Sequence, residues 1–294
     1  MNGLEAVVAA QAFIKTHYND DGFGVKAVSS AIGYSRRQLD RLFKKYLQIT
    51  LFEYINAVVL SNSAEKLLNT DSSVIDVALE SHYDSHEGYT RSFAKRFFVT
   101  PDEYRKSKIA IPLFTQYPAN HSSLLKGKQT MDNISVCTVT PVQRPKRKLI
   151  YLPSKSASCY FSYCEEMGCG WEGLLNSIPE KFDTAAILDL PEFLLEKGFG
   201  KTASGIEVPL DYDKPLPEGY RIAELDECIM LYFQSEPFEN PDDFGDYIGQ
   251  VFKASENYNF ESYGYKTAEN IAPDFNFGAE PETGARIAVP VIKL

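Results

Sequence analysis

The strongest constraint on this 294-residue chain is a repeat near its start. Ser35-Arg-Arg-Gln-Leu-Asp-Arg-Leu-Phe-Lys-Lys45 returns 50 residues later as Ser85-His-Glu-Gly-Tyr-Thr-Arg-Ser-Phe-Ala-Lys95. At that offset Arg41 meets Arg91, Phe43 meets Phe93, and Lys45 meets Lys95. Thr50 then meets Thr100, Glu53 meets Glu103, and Tyr54 meets Tyr104. A repeat of this period means one supersecondary unit used twice.

Each unit reads as helix, tight turn, helix. Residues 25–31 form the first short helix, and Gly33 supplies the turn because it accepts positive φ without a Cβ clash. Ser35 caps the next helix and Gln38 completes a capping box. Leu39, Leu42, Phe43 and Tyr46 recur at helical spacing, so Arg36, Arg37, Asp40, Arg41 and Lys44 fall on the other faces. In the second unit residues 74–81 are the first helix, Ser85 is the cap, and Tyr89, Phe93 and Phe97 form the apolar stripe. His86, Glu87, Thr90 and Arg91 point away from it. Thr50 with Glu53 and Thr100 with Glu103 are further capping boxes, and Pro101 sits at the favoured first helical position. Between the units, residues 51–69 read as one long helix.

Charge divides the chain in the same place. Residues 1–108 carry 14 basic and 13 acidic side chains, whereas 109–294 carry 16 and 27. The first part can lie on phosphates if its bases cluster; the second would repel them and welcome a cation. No stretch is long and apolar enough for a membrane span, and the start lacks a basic signal-peptide region, so the expectation is a cytoplasmic protein with no membrane partner. Five cysteines, at 137, 159, 164, 169 and 228, are read as free thiols. No metal and no cofactor are expected.

On these residues the first part resembles the AraC/XylS family DNA-binding domain. IGYSRRQLDRLFKKYLQITLFEYI is similar to the family's first helix-turn-helix, and HYDSHEGYTRSFAKRFFVTPDEYR to the signature around its second. The resemblance implies seven helices and two recognition helices reaching adjacent major grooves, about 34 Å apart. It implies base reading by Arg36, Arg37, Asp40 and Arg41 in the first helix and by His86, Glu87, Thr90 and Arg91 in the second. Lys44, Lys45, Lys95 and Arg96 are expected on phosphates, which position without specifying. Three features depart from the family: His82 stands where Gly is usual, residues 56–60 lack an Arg that relatives carry, and the charge balance is only slightly positive.

Residues 109–133 read as a linker, rich in proline, serine and a Lys-Gly-Lys step. From residue 134 the pattern becomes α+β. Strands are expected at 134–140, 148–152, 206–210, 220–225, 228–234 and 286–293, and helices at 169–178 and 244–257. This organisation resembles the gyrase-inhibitor-like domain, carried by Leu231-Tyr-Phe-Gln-Ser-Glu-Pro-Phe-Glu239, by 244–252 and by the closing Ile-x-Val-Pro-Val. It implies two pseudo-repeated strand–helix–strand–strand modules around a cleft that takes hydrophobic cations or aromatic molecules. The expected ligand residues are Glu280 as a desolvated acid, Glu236 in reserve, and the aromatics Trp171, Tyr163, Tyr232 and Phe277.

The sequence therefore describes a two-domain protein: 1–108 a double helix-turn-helix, 109–133 a linker, 134–294 an effector-binding domain. Its expected partners are double-stranded DNA, a small-molecule effector and RNA polymerase, and it is not expected to be an enzyme. Two alternatives stay open for the second domain. One is a carboxylate-based hydrolase, any base being a carboxylate because 134–294 has no histidine. The other is a module that docks a protein partner.

Overall fold

The computed structural model describes residues 2–114, 116, 119 and 137–294. The chain divides into two compact units, Met1–Leu125 and Lys126–Leu294. The first is helical and the second is built on a sheet, a two-domain α+β layout. Most of the expected 109–133 linker, and the start of the strand expected at 134–140, lie outside the described residues.

The first unit holds seven helices among the described residues: α1 (Gly3–His17), α2 (Val25–Ile32), α3 (Arg36–Leu47), α4 (Leu51–Asn69), α5 (Val74–Glu80), α6 (His86–Phe97) and α7 (Pro101–Ser107). Local chemistry starts them. Reciprocal capping boxes open α1, α3, α4, α5 and α7, whereas Ser85 caps α6 through a single bond from the Gly88 N–H. Each such cap contributes about 1 kcal/mol by satisfying backbone donors that the helix itself leaves open.

The 50-residue repeat persists in three dimensions, since α3 and α6 begin and end 50 positions apart. Leu39 and Tyr89, Phe43 and Phe93, and Tyr54 and Tyr104 are all buried. They belong to two separate cores. Val7, Ile14, Val28, Leu39, Phe43 and Tyr54 form one, and Leu67, Val77, Tyr89, Phe93 and Tyr104 form the other. Helix α4 supplies residues to both, Leu51 to Val59 in the first and Leu60 to Leu67 in the second. That double duty explains why 11 of its 19 residues are buried and why residues 57–60 are apolar. Asn56, just before them, accepts a 2.7 Å hydrogen bond from the Tyr83 hydroxyl.

His82 adopts φ 62°, a strained value for a residue with a Cβ. Its Nε2–H donates to the Tyr18 carbonyl at 2.7 Å, tying the second turn to the end of α1. Past α7 the chain still packs on this unit. Ile111 is buried in the second core, and Phe114 meets Tyr54 edge-on at 5.0 Å.

The second unit contains β1 (Cys137–Arg144), β2 (Arg147–Pro153), α8 (Tyr160–Met167), α9 (Gly170–Asn176), β3 (Ala186–Asp189), β4 (Thr202–Pro209), β5 (Arg221–Leu225), β6 (Cys228–Ser235), α10 (Phe244–Glu256), β7 (Tyr265–Thr267), β8 (Asp274–Glu280) and β9 (Gly284–Lys293). One antiparallel sheet runs β1-β6-β9-β8-β3-β4-β2-β5, with β7 also on β9. Alternation along the strands separates two faces. One carries Leu149, Leu188, Ala203, Met230, Tyr232, Phe275 and Ala288. The other carries Leu231, Phe233, Ile287 and Val291 against Val251 of α10.

Several elements of this unit differ from the sequence-based reading. Helix α9 is shorter than expected, with Cys169 as its N-cap. Helix α8 and strands β3, β7 and β8 fall where no element is expected, β1 runs on to Arg144, and β4 begins at Thr202 and not at residue 206. Strand β3 has only four residues, too few to show a period. Strand β8 contains Asn276 and a positive-φ Gly278 beside a register shift between Asn276 and Ala279, features that read as a turn.

Candidate nucleic-acid interface and effector module

Burying Leu39 and Phe43 fixes which side of α3 faces outward. Arg36, Arg37, Arg41, Lys44 and Lys45 are all exposed. Arg37, Arg41 and Lys44 follow one another at i, i+4 and i+7, one continuous cationic stripe. On α6 the positions equivalent to Arg37, Arg41 and Lys45 are Glu87, Arg91 and Lys95, likewise exposed, and His86 is half-buried.

Three of the expected contacts are engaged or buried within the unit. Asp40 turns its Oδ1 to the Leu51 N–H at 3.1 Å, serving the start of α4, while Arg36 Nε lies 3.6 Å from its Oδ2. The Thr90 hydroxyl is buried and has no hydrogen-bond partner among the described residues. Arg96 lies over the rings of Phe97 and Phe114, at 5.6 and 5.5 Å, with Nε buried and unpartnered among the described residues. Burial lowers its pKa, the signature of a guanidinium drawn into the unit and away from solvent. Packing of Phe114 causes this, a contact from beyond α7 that the helical repeat could not reveal.

In the second unit the expected aromatics fall into two pairs. Trp171 meets Tyr163 edge-on at 5.9 Å, and the Tyr163 hydroxyl donates to Leu152 O at 2.7 Å, near Ser204 Oγ at 2.9 Å. Tyr232 stacks on Phe277 at 5.7 Å, and Phe277 on Phe275 at 5.6 Å.

The expected acids are not the buried ones. Glu280 ends β8 at the hairpin into β9 and is exposed; Glu236 follows the end of β6 and is exposed too. Neither is desolvated. The acids placed with the Tyr232 rings are Glu207 on β4, 4% exposed, and Asp183 before β3, 19% exposed. Sequence reasoning missed them because Glu207 sits mid-strand, where the pattern predicts an apolar residue.

Three arginines answer those two acids. Glu207 takes Arg147 Nε on Oε1 and Arg144 Nε on Oε2, the latter at 3.0 Å. Arg147 also donates to Asp226 O at 2.8 Å and has no exposed surface. Arg144 donates to the Tyr232 hydroxyl as well. Asp183 receives Arg286 through both terminal nitrogens, at 2.7 and 3.2 Å. Arg286 lies 4.2 Å from the centre of the Phe277 ring, and Arg144 lies 5.6 Å from that of Tyr232. Of the aromatic faces expected to receive a cation, those of Tyr232 and Phe277 thus already hold the protein's own guanidinium groups.

A second acidic position lies across the β3–β8 pair, where Asp189 and Asp274 face each other. Burial pushes Asp274 up to about 7, helped by Asp189 and Glu269. Among the described residues no group of three His, Cys, Asp or Glu side chains could hold a metal ion, and no helix is long and apolar enough to cross a membrane.

Comparison with known proteins matches residues 28–107 to a helix-turn-helix domain family. The Tn10 TetD protein of Escherichia coli is 36% identical over 93 residues, 32% of this chain and 67% of that protein. The probable transcription factor PqrA of Proteus vulgaris is 33% identical over 88 residues, 30% of this chain and 72% of that protein. The Right origin-binding protein of Escherichia coli is 38% identical over 88 residues, but these are only 30% of either chain. Two small relatives are thus spanned over two thirds or more of their length, and the segment 28–107 that matches the helix-turn-helix domain family includes the capped repeat described above. By that segment the chain belongs to the AraC-type helix-turn-helix family of regulators.

Proposed function

We propose that this protein is a sequence-specific DNA-binding transcription regulator whose sheet unit, a gyrase-inhibitor-like module, takes up a small effector. The observation that carries the first half is the pair of equivalent helices, α3 and α6, each with its apolar side buried and its polar side outward. Arg36, Arg37 and Arg41, with His86, Glu87 and Arg91, are assigned to base edges. Arginine can grip guanine O6 and N7 together, and glutamate can accept from cytosine N4. Lys44, Lys45 and Lys95 are assigned to phosphates. RNA polymerase is the proposed protein partner on the promoter.

The strand order supports the two-module reading. From one edge the sheet runs β1-β6-β9-β8, and from the other β5-β2-β4-β3. Taking β1–β4 and β5–β9 as the modules, with β7 aside, each half of the sheet holds the second, fourth and third strands of one module. The outermost strand in each half is the first strand of the other. The stacked Tyr232 and Phe277, floored by Glu207 and Asp183, are the proposed effector seat. A cationic aromatic effector competes there with Arg286 for Asp183 and for the Phe277 face.

Two measurements test these halves separately. DNA selected from a random pool should show one preferred sequence, and Arg41→Ala should weaken binding to it about tenfold or more. Recovery of no preferred sequence overturns the first half. Tetraphenylphosphonium should raise the melting temperature of Arg286→Ala more than that of the wild type. No shift in either protein overturns the effector seat.

A further inference from the structure

A group of thiols in the sheet unit plays no part in the reading above. Helix α8 ends at Met167, Gly168 turns the chain with φ 78°, and Cys169 caps α9. This reversal brings Cys169 back beside Cys164, one turn before the end of α8, so that the two thiols interact with each other. Cys164 is half-buried and Cys169 is exposed.

A second observation points at the same sulfur. Trp171 is only 5% exposed, and its Nε1–H is buried with no acceptor at bonding distance among the described residues. The indole nevertheless leans this donor toward Cys164, as does the Tyr160 side chain. Cys164 therefore sits among three donors, where a negative sulfur or an oxygen added to that sulfur would be welcome. The Cys169 thiol, more than any other neighbour, lowers the Cys164 pKa below the usual thiol value against the opposing effects of burial and Glu172. Cys169, as the donor, is held protonated, its pKa raised. Thiolate character with access for a small oxidant is what makes a cysteine reactive, and a second thiol alongside makes the reaction reversible.

We propose that Cys164 and Cys169 form a peroxide-sensitive dithiol, with Cys164 attacked first and Cys169 resolving. The Cys164 thiolate displaces hydroxide or alkoxide from a hydroperoxide, giving a sulfenic acid and, after protonation, water or an alcohol. The Cys169 thiol then attacks that sulfur, its proton leaves with the hydroxyl as water, and the disulfide forms. Two thiols lose two electrons and the peroxide gains them. The unpartnered Trp171 donor is positioned to hold the sulfenic oxygen in the interval. The cross-link joins the end of α8 to the start of α9, beside Tyr163 and its bonds to Leu152 and Ser204.

The test treats the reduced full-length protein with stoichiometric hydrogen peroxide and maps its peptides without reduction. The expected product is a Cys164–Cys169 link, about 2 Da lighter than the dithiol and reversed by dithiothreitol. Trp171 is the only tryptophan, so its emission should fall with the link and recover with reduction. With Cys169→Ser the link should be lost, and a dimedone adduct should accumulate on Cys164. The wild-type map needs no substitution, so a misfolded variant cannot decide the question. Oxidation that begins at Cys137, Cys159 or Cys228, or a Cys164 and Cys169 still open to alkylation after peroxide, overturns the proposal.

Discussion

The two units spend their arginines in opposite ways. In the helical unit Arg36, Arg37, Arg41 and Arg91 stand in solvent on two equivalent helices, whereas Arg96 and Arg105 turn inward. In the sheet unit Arg144, Arg147 and Arg286 turn onto Glu207, Asp183, Tyr232 and Phe277. An exposed guanidinium keeps its hydration until a partner replaces it, so it adds little to folding and much to recognition. A buried one must be answered within the fold, because leaving it unpaired costs several kcal/mol. The surface of the first unit is thus shaped for an outside partner, and the interior of the second is already balanced by its own side chains.

The most severe break of this contrast is Glu207→Ala, which strands Arg147 and Arg144 together. It should cost the sheet unit about 3–5 kcal/mol in urea unfolding, and a loss below about 1 kcal/mol would mean that the network is not a structural unit. Phe43→Ala and Phe93→Ala should each cost the helical unit about 3–5 kcal/mol, because both rings are fully buried at equivalent places in separate cores. A large difference between them would show that the two halves are not independent equivalents.

Recognition should then separate the halves. Arg41→Ala and Arg91→Ala are each expected to cost about 1–3 kcal/mol of sequence-specific affinity with stability unchanged. Removing both Lys44 and Lys45 should lower the salt dependence of binding by about two phosphate contacts, and removing Lys95 by about one. Equal salt slopes for all of these proteins would remove the phosphate assignment.

The pH dependence sharpens the contrast between units. Asp274 is raised from 3.8 to about 7 in the folded state, so between those values the folded protein binds more protons than the unfolded one. The sheet unit should lose stability as pH rises from about 4 to 7, by an amount on the order of a few kcal/mol, and Asp274→Asn should flatten that profile. The smallest effect expected is at Arg36 and Asp40, an exposed i, i+4 pair worth about 0.3–0.5 kcal/mol, which Arg36→Ala measures.

How much of this was legible in the sequence differs between the units for the same reason. In the helical unit the capping residues Ser35, Thr50, Ser85 and Thr100 and the apolar stripes lie close in sequence to what they control, so helices, turns and outward faces could be read directly. What escaped was long-range: Asp40 claimed by Leu51, and Arg96 covered by Phe114 from beyond α7. In the sheet unit almost every decisive contact is long-range. Arg144 meets Glu207 across 63 positions, and Arg286 meets Asp183 across 103. The sequence pattern points to an acid beside aromatic residues, but to Glu280, which neighbours Phe277 in sequence. Strand pairing brings Asp183 and Glu207 to that ring system, and a hairpin carries Glu280 out to solvent.

The central claim is that two equivalent helices of one chain read one duplex. Hydroxyl-radical footprinting on the selected DNA tests it most directly. Protection is expected on one face of the duplex over two sites about one helical turn apart, with Arg91→Ala losing only the site read by α6. A single protected site, unchanged by Arg91→Ala, would contradict it.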